Sequence, residues 1–275
     1  MAADGPKPGF FGNLSQDQET KLQKLWRPLL KAAESPEGEE ALNGSAQEHS
    51  SPSQPPRRQS LLGRTQSNLS DVSLAKPTSP YQQKVLSSLR DLGIKAPEAK
   101  MVEKSLSEIT PSELRQGILD LLKHDHPDAM ILRFLRARKW DVPRAFVMMM
   151  EAIVWRVKEM HVDDDVMAKG ELHALKQEQG SDPTERKAGK DFLAQMRMGK
   201  AFVHGKDKLG RPVVTIRVQL HKPGAQSEEA LERYIVHVIE SVRLLMSFPV
   251  ETAVSTINLL MAHIYSHLAR RSSST

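Results

Sequence analysis

Ile131-Leu132-Arg133-Phe134-Leu135-Arg136-Ala137-Arg138-Lys139-Trp140-Asp141, followed one helix later by Trp155-Arg156, is the stretch on which the fold turns. Its apolar residues recur at helical spacing, and we read a helix over Ala129 to Lys139. Asp141 with Pro143 then opens the next one. On that first helix Leu132, Leu135 and Lys139 fall near one stripe, while Arg133, Arg136 and Arg138 fan over other faces. Phe134 and Leu135 anchor it by burial. The arginines then present forked donors suited to carboxylates or phosphates. Pairing with acidic neighbours, or plain solvation, stands beside that as the structural alternative.

Working outward, the period stays helical from Tyr81 to about His161. Val85, Leu86, Leu89 and Leu92 mark one helix, stopped by Gly93, and Thr110-Pro111-Ser112-Glu113 starts another. The helix opened by Asp141 carries Ala145, Phe146, Met149, Ile153 and Arg156, with Met148 to Met150 as adaptable core filler. The polar stretch Asp163 to Lys190 reads as loops and short turns. The period then shifts to two: Ala201 to Val203 and Val213 to Val218 read as strands joined by a hairpin through Gly205 to Gly210. Ser227 with Glu228 and Glu229 starts a long helix whose apolar face is Leu231, Ile235, Val238, Val242 and Leu245, ending before Phe248-Pro249.

Toward the N-terminus, Gly12 to Ala33 reads as a helix kinked or interrupted at Pro28. Ser15 and Gln18 form a capping box there, and Leu22, Leu25, Trp26, Leu29 and Leu30 an apolar stripe for docking on the later domain. Glu34 to Pro80 reads as a disordered Ser/Pro-rich linker with too little apolar surface to order itself. Arg57-Arg58-Gln59-Ser60 and Arg64-Thr65-Gln66-Ser67 make Ser60 and Ser67 candidate phosphorylation sites.

Composition excludes several classes. The 275 residues include no cysteine, so neither a disulfide framework nor a thiolate zinc site is available. Mean hydropathy is -0.45, and no stretch approaches the length of apolar run that spans a bilayer. The N-terminus has no signal-peptide core, so membrane contact is expected to be peripheral and the location cytoplasmic. A net charge of +5 permits an anionic partner without choosing one. His124-Asp125-His126, and His161 with Asp163 to Asp165, lack metal-ligand spacing and read as solvated loops. Gly210 leads through Arg211-Pro212 into a strand, which is a hairpin and not a phosphate loop. No aromatic residues interleave with the basic ones for base stacking, so no nucleic-acid partner is expected. No nucleophile–base set or paired carboxylates indicate an enzyme, and no cofactor is implied.

The Ile131–Asp141 run with Trp155-Arg156, together with His204-Gly205-Lys206-Asp207-Lys208-Leu209-Gly210-Arg211-Pro212-Val213, resembles the CRAL-TRIO family, specifically its fungal phosphatidylinositol-transfer members. Gly12-Asn13-Leu14 with Trp26 is similar to the leading helix of filamentous-fungal members. The resemblance implies an α/β fold: a helical N-terminal lobe at 81–161, then a lipid-binding lobe of which 195–253 is present. Residues 1–33 are a helical N-terminal segment, 34–80 the linker and 254–275 a divergent tail. By the same resemblance Arg138 and Lys139 approach a phosphorylated headgroup, with Arg133 and Arg136 as further candidates, and Val214, Ile216, Ile235, Val238 and Val242 line the pocket. The implied function is non-enzymatic binding and transfer of a phosphatidylinositol- or phosphatidylcholine-class lipid, with an interaction or membrane-adaptor protein as the alternative.

The family continues past Ala253 into a central strand with an apolar-Asp-apolar pattern. Here Val254 to Met261 lacks the expected Asp and Gly, and Ala262 to Leu268 reads as a short helix before a polar end. A lobe stopping at Ala253 leaves the long helix's apolar face uncovered, forgoing roughly 1.5–3 kcal/mol per side chain. C-terminal truncation with impaired transfer is therefore expected.

Overall fold

The computed structural model describes residues 5–34 and 80–257. The expected linker, Ser60 and Ser67, and the expected tail helix over Ala262 to Leu268 lie outside the described residues. At the linker's boundaries, the Glu34 N–H closes the first helix on the Leu30 carbonyl, and Pro80 already opens the second.

The first half of the described chain is an all-helical lobe. It comprises α1 (Gln16–Ala33), α2 (Pro80–Arg90), α3 (Ala96–Glu108), α4 (Pro111–Leu122), α5 (Pro127–Ala137) and α6 (Val142–Val154). The starts follow local chemistry: Ser15 and Thr110 each complete a capping box, and the Asp141 carboxylate accepts the Arg144 N–H. The core gathers around α6, whose Phe146, Met149, Met150 and Ile153 are fully buried against Leu25 and Leu29 of α1 and Leu132 and Leu135 of α5. The α1 stripe is thus a docking face through Leu22, Leu25 and Leu29, with Trp26 partly buried, whereas Leu30 stays exposed. The Trp26 indole fixes its angle by donating to Asp128 at 2.7 Å.

Two local expectations change. Helix α1 runs through Pro28 without interruption. Pro28 is buried beside Leu25 and Leu29, and packing of that face outweighs the loss of one helical hydrogen bond. Helix α5 stops at Ala137, so Lys139 does not lie on its stripe. The Lys139 N–H bonds back to Arg136 and the Trp140 N–H to Leu135, the pairing that ends many helices. Lys139 and Trp140 both sit at positive φ, 52° and 64°, in a conformation usually left to glycine.

Past α6 the helix loosens into two π-helical turns, Trp155–Glu159 and Val162–Met167. Asp163 to Lys190 is not loop. It contains π-helical turn, then α7 (Ala168–Gln179), and the first half of α8 (Pro183–Arg197). The mostly polar surface hides a narrow contact: a Cβ on Gly189 would lie 2.4 Å from the Ala174 carbonyl, so only glycine lets the hairpin close this tightly. Asp182, whose carboxylate caps α8 ahead of Pro183, is the start signal in that stretch.

Among the described residues the second lobe is a three-stranded sheet with one covering helix. Strand β1 (Ala201–Lys206) pairs antiparallel with β2 (Pro212–Ile216), and β2 pairs parallel with β3 (Val254–Ile257). Helix α9 (Glu228–Leu244) makes the crossover between β2 and β3, as parallel pairing requires. The boundary expected at Ala253 is therefore overrun: Val254, Ser255, Thr256 and Ile257 pair in register with Val213 to Ile216. Val254-Ser255-Thr256-Ile257 is three-quarters β-branched and needs no aspartate to join a sheet edge.

Candidate functional site

Alternation along β2 sends Val214 and Ile216 to the face that also carries Ala201 on β1 and Ser255 on β3. Helix α9 crosses above that face and turns Leu231, Ile235, Val238 and Val242 toward it, at successive helical spacings. Between them lies a cavity of about 670 Å³ with an almost wholly apolar lining. Val214, Ile216, Ile235, Val238 and Val242, 28 residues of chain apart at their extremes, all border it. The cavity is open: Ile235 is 48% and Ile239 54% exposed.

Helix α9 is held over the sheet from its other sides. Tyr234 meets Phe192 of α8 edge to face, and its hydroxyl both donates to the Ala201 carbonyl and accepts the Ala201 N–H. Val236 packs with Val162 and Val166 of the second π-helical turn. A third link is ionic. Arg156, only 6% exposed, donates to both carboxylate oxygens of Glu240 at 2.8 and 3.1 Å and to Asp163 at 2.9 Å. Arg243 also grips Glu240, at 2.9 Å, and reaches the Leu121 carbonyl at 2.6 Å, while Lys123 holds Asp163 at 2.6 Å. Burial pushes the Glu240 carboxyl upward, but the two arginines hold it below its ordinary range. The cluster ties α4 and the first π-helical turn to α9.

Glu240 and Arg243 were not singled out from sequence. Their signal is a charged pair at i, i+3 next to an apolar face, which also fits a solvated surface pair. The clusters read as solvated loops are engaged instead. Asp163 is in the cluster above, and Asp165 pairs with Arg233 and Lys169. Asp125 pairs with Arg133, His124 hydrogen-bonds the Met246 carbonyl, and His126 caps α5 while stacking on Phe11 at 3.9 Å. Remote chain segments supply part of these partners: Arg233 for Asp165, Lys123 for Asp163, the Met246 carbonyl for His124 and Phe11 for His126.

None of the four basic residues of the Ile131–Asp141 run borders the cavity. Arg133 donates to Asp125 at 2.8 Å. Arg136 donates to Glu251 at 2.6 Å and the Gly9 carbonyl at 3.0 Å, with its guanidinium 3.9 Å above the Phe10 ring. Arg138 ends α5 and, like Lys139, is exposed, with no ion pair among the described residues. The cavity's own cations are elsewhere: Lys200 and Arg217 border its end near the start of α9, and Arg243 the other end.

The CRAL/TRIO, N-terminal domain family matches residues 99–151, and the CRAL/TRIO domain family matches residues 196–273. A CRAL-TRIO domain-containing protein of Schizosaccharomyces pombe is 34% identical over 249 residues, covering 88% of this chain and 51% of that protein. A phosphatidylinositol transfer protein of Eremothecium gossypii is 28% identical over 257 residues, covering 90% of this chain and 56% of that protein. Patellin-3 of Arabidopsis thaliana is 31% identical over 104 residues, 38% of this chain and 16% of that protein. The chain thus spans about half the length of the two fungal relatives. With the helical lobe, the glycine-arginine-proline hairpin and both domain matches in sequence order, the chain belongs to the CRAL-TRIO family.

Proposed function

We propose that this chain binds a phospholipid of the phosphatidylinositol or phosphatidylcholine class without making or breaking a bond. The observation that supports this most is the apolar cavity between α9 and the sheet, whose wall keeps Ile235 and Ile239 half exposed. A helix that only completed a core would bury those side chains, at roughly 1.5–3 kcal/mol each. An acyl chain in the cavity recovers the same free energy. The naming of the Eremothecium gossypii relative as a phosphatidylinositol transfer protein agrees with this ligand class.

Membrane contact is peripheral in this proposal. No helix among the described residues is long and apolar enough to cross a membrane. Leu244, Leu245 and Phe248 cluster exposed at the end of α9, where they can enter the interface. For the headgroup, Arg138 and Lys139 are the available cations of the arginine-rich run. Arg133 and Arg136 reach a phosphate only by exchanging Asp125 and Glu251 for it.

The test incubates the 275-residue chain with vesicles containing both lipid classes, re-isolates it and identifies bound lipid by native mass spectrometry. Vesicle-to-vesicle transfer of labelled lipid is measured in parallel. Stoichiometric phospholipid lost on Ile239→Asp is expected. Retention of lipid by Ile239→Asp, or recovery of none by the native chain, rejects the proposal.

A further inference from the structure

The cavity is apolar along most of its length but not at its end near the start of α9. Lys200, in the turn between α8 and β1, is 6% exposed. Its ammonium donates to Gln226 Oε1 at 2.7 Å and lies 3.5 Å from Gln195 Oε1. Both partners are neutral, and no carboxylate pairs with Lys200 among the described residues. Burial alone pulls its pKa downward.

The surroundings worsen that charge. Gln226 adjoins Ser227, the cap of α9, and the Gln195 amide donates to the Ala230 carbonyl in the helix's first turn at 3.0 Å. The ammonium thus sits beside the positive end of a helix dipole, where a cation is disfavoured and an anion favoured. Arg217 adds a second cation. Its backbone N–H bonds the Lys200 carbonyl at 2.7 Å, and among the described residues its guanidinium donates only to the Met198 carbonyl, at 3.3 Å. Asp191, at the same end of α9, is engaged by Lys187 and by the Ser227 N–H. Two cations bordering one apolar cavity at a helix N-terminus, one of them buried and without a counter-charge, form an incomplete electrostatic arrangement.

We propose that Lys200 and Arg217 form a subsite for the oxyanion head, carboxylate or phosphate, of an amphiphile whose hydrocarbon extends toward Val238 and Val242. The inference rests on the lipid-binding proposal for the same cavity and adds the ligand's charge and orientation. The oxyanion lies inside the cavity, at the α9 N-terminus. The exposed imidazole of His221 also borders the cavity.

The test displaces neutral Nile red from the 275-residue chain with hexadecanoate, hexadecyl phosphate or hexadecanol, with inorganic phosphate as a fourth arm. Both anionic amphiphiles are expected to compete about tenfold better than the alcohol, the worth of one charge-assisted hydrogen bond. Lys200→Met and Arg217→Gln are expected to erase the preference for the anionic amphiphiles over the alcohol. Lys200→Arg, which keeps the charge, is expected to retain it and serves if the methionine variant does not fold. Equal potency of the three amphiphiles overturns the subsite and leaves lipid binding standing, whereas displacement by none overturns both. Loss of alcohol potency in folded Lys200→Met shows a structural lysine and overturns the subsite. Competition by inorganic phosphate as strong as by hexadecyl phosphate assigns the site to free phosphate and overturns the amphiphile.

Discussion

In the helical lobe Leu132, Phe146 and Ile153 are completely buried, whereas in the sheet lobe Ile239 and Ile257 remain 54% and 55% exposed. Both lobes use ordinary aliphatic side chains at regular helical or strand spacing. In the first, six helices enclose one another's stripes and the apolar surface stabilises the protein itself. In the second, α9 is anchored at its edges by Tyr234, Val236 and Glu240, so its remaining apolar face stands off the sheet. Side-chain hydrophobicity therefore does not separate a core from a binding site. What separates them is whether the supporting contacts let the two surfaces meet.

That contrast can be broken at its strong side first. Phe146→Ala is expected to destabilise the protein by about 3–5 kcal/mol in urea unfolding, because a rigid core collapses poorly around a lost ring. The ionic link comes next. Glu240→Leu leaves Arg156 buried with Asp163 as its remaining carboxylate, and a loss of about 3 kcal/mol is expected by the same measurement. If unfolding then separates into two transitions, the cluster is what makes the lobes unfold together.

Acid probes the same junction more gently. Burial raises the Asp165 carboxyl, but hydrogen bonds from Arg233 and Lys169 overcome this and bring it down to about 2. Its folded value lies below its unfolded one, so its contribution is complete above about pH 4 and vanishes as pH falls through about 2. A loss on the order of 1 kcal/mol over that window is expected, and Asp165→Asn should remove that part of the acid dependence. The smallest stability effect is expected at the cavity: Ile239→Ser should cost less than about 1 kcal/mol while strongly weakening amphiphile binding. A loss there as large as at Phe146 would mean that α9 has no binding face distinct from its core.

Elements with local signals were legible in the sequence. Ser15 with Gln18, Thr110 with Glu113, and Asp141 with Pro143 define helix starts within three residues, and the structure realises each. The α7–α8 hairpin was not, because its closest contact depends on the missing side chain of Gly189, and absence of a side chain carries no periodic signal. In the arginine-rich run, sequence indicated forked donors but not their acceptors. Arg136 finds Glu251 115 residues away, and Arg156 finds Glu240 84 residues away.

Sequence alone carried the order of helical and sheet lobes, through spacings within a turn or a strand, and the motifs whose family resemblance implied Val214, Ile216, Ile235, Val238 and Val242 as pocket-lining candidates. Only the tertiary structure decided that Arg133 and Arg136 are held by carboxylates, that β3 continues the sheet past Ala253, and that Lys200 lies buried at the α9 end of the cavity. Charge pairing and burial are settled by distance in space, and the backbone brings those groups together only after the local elements have packed.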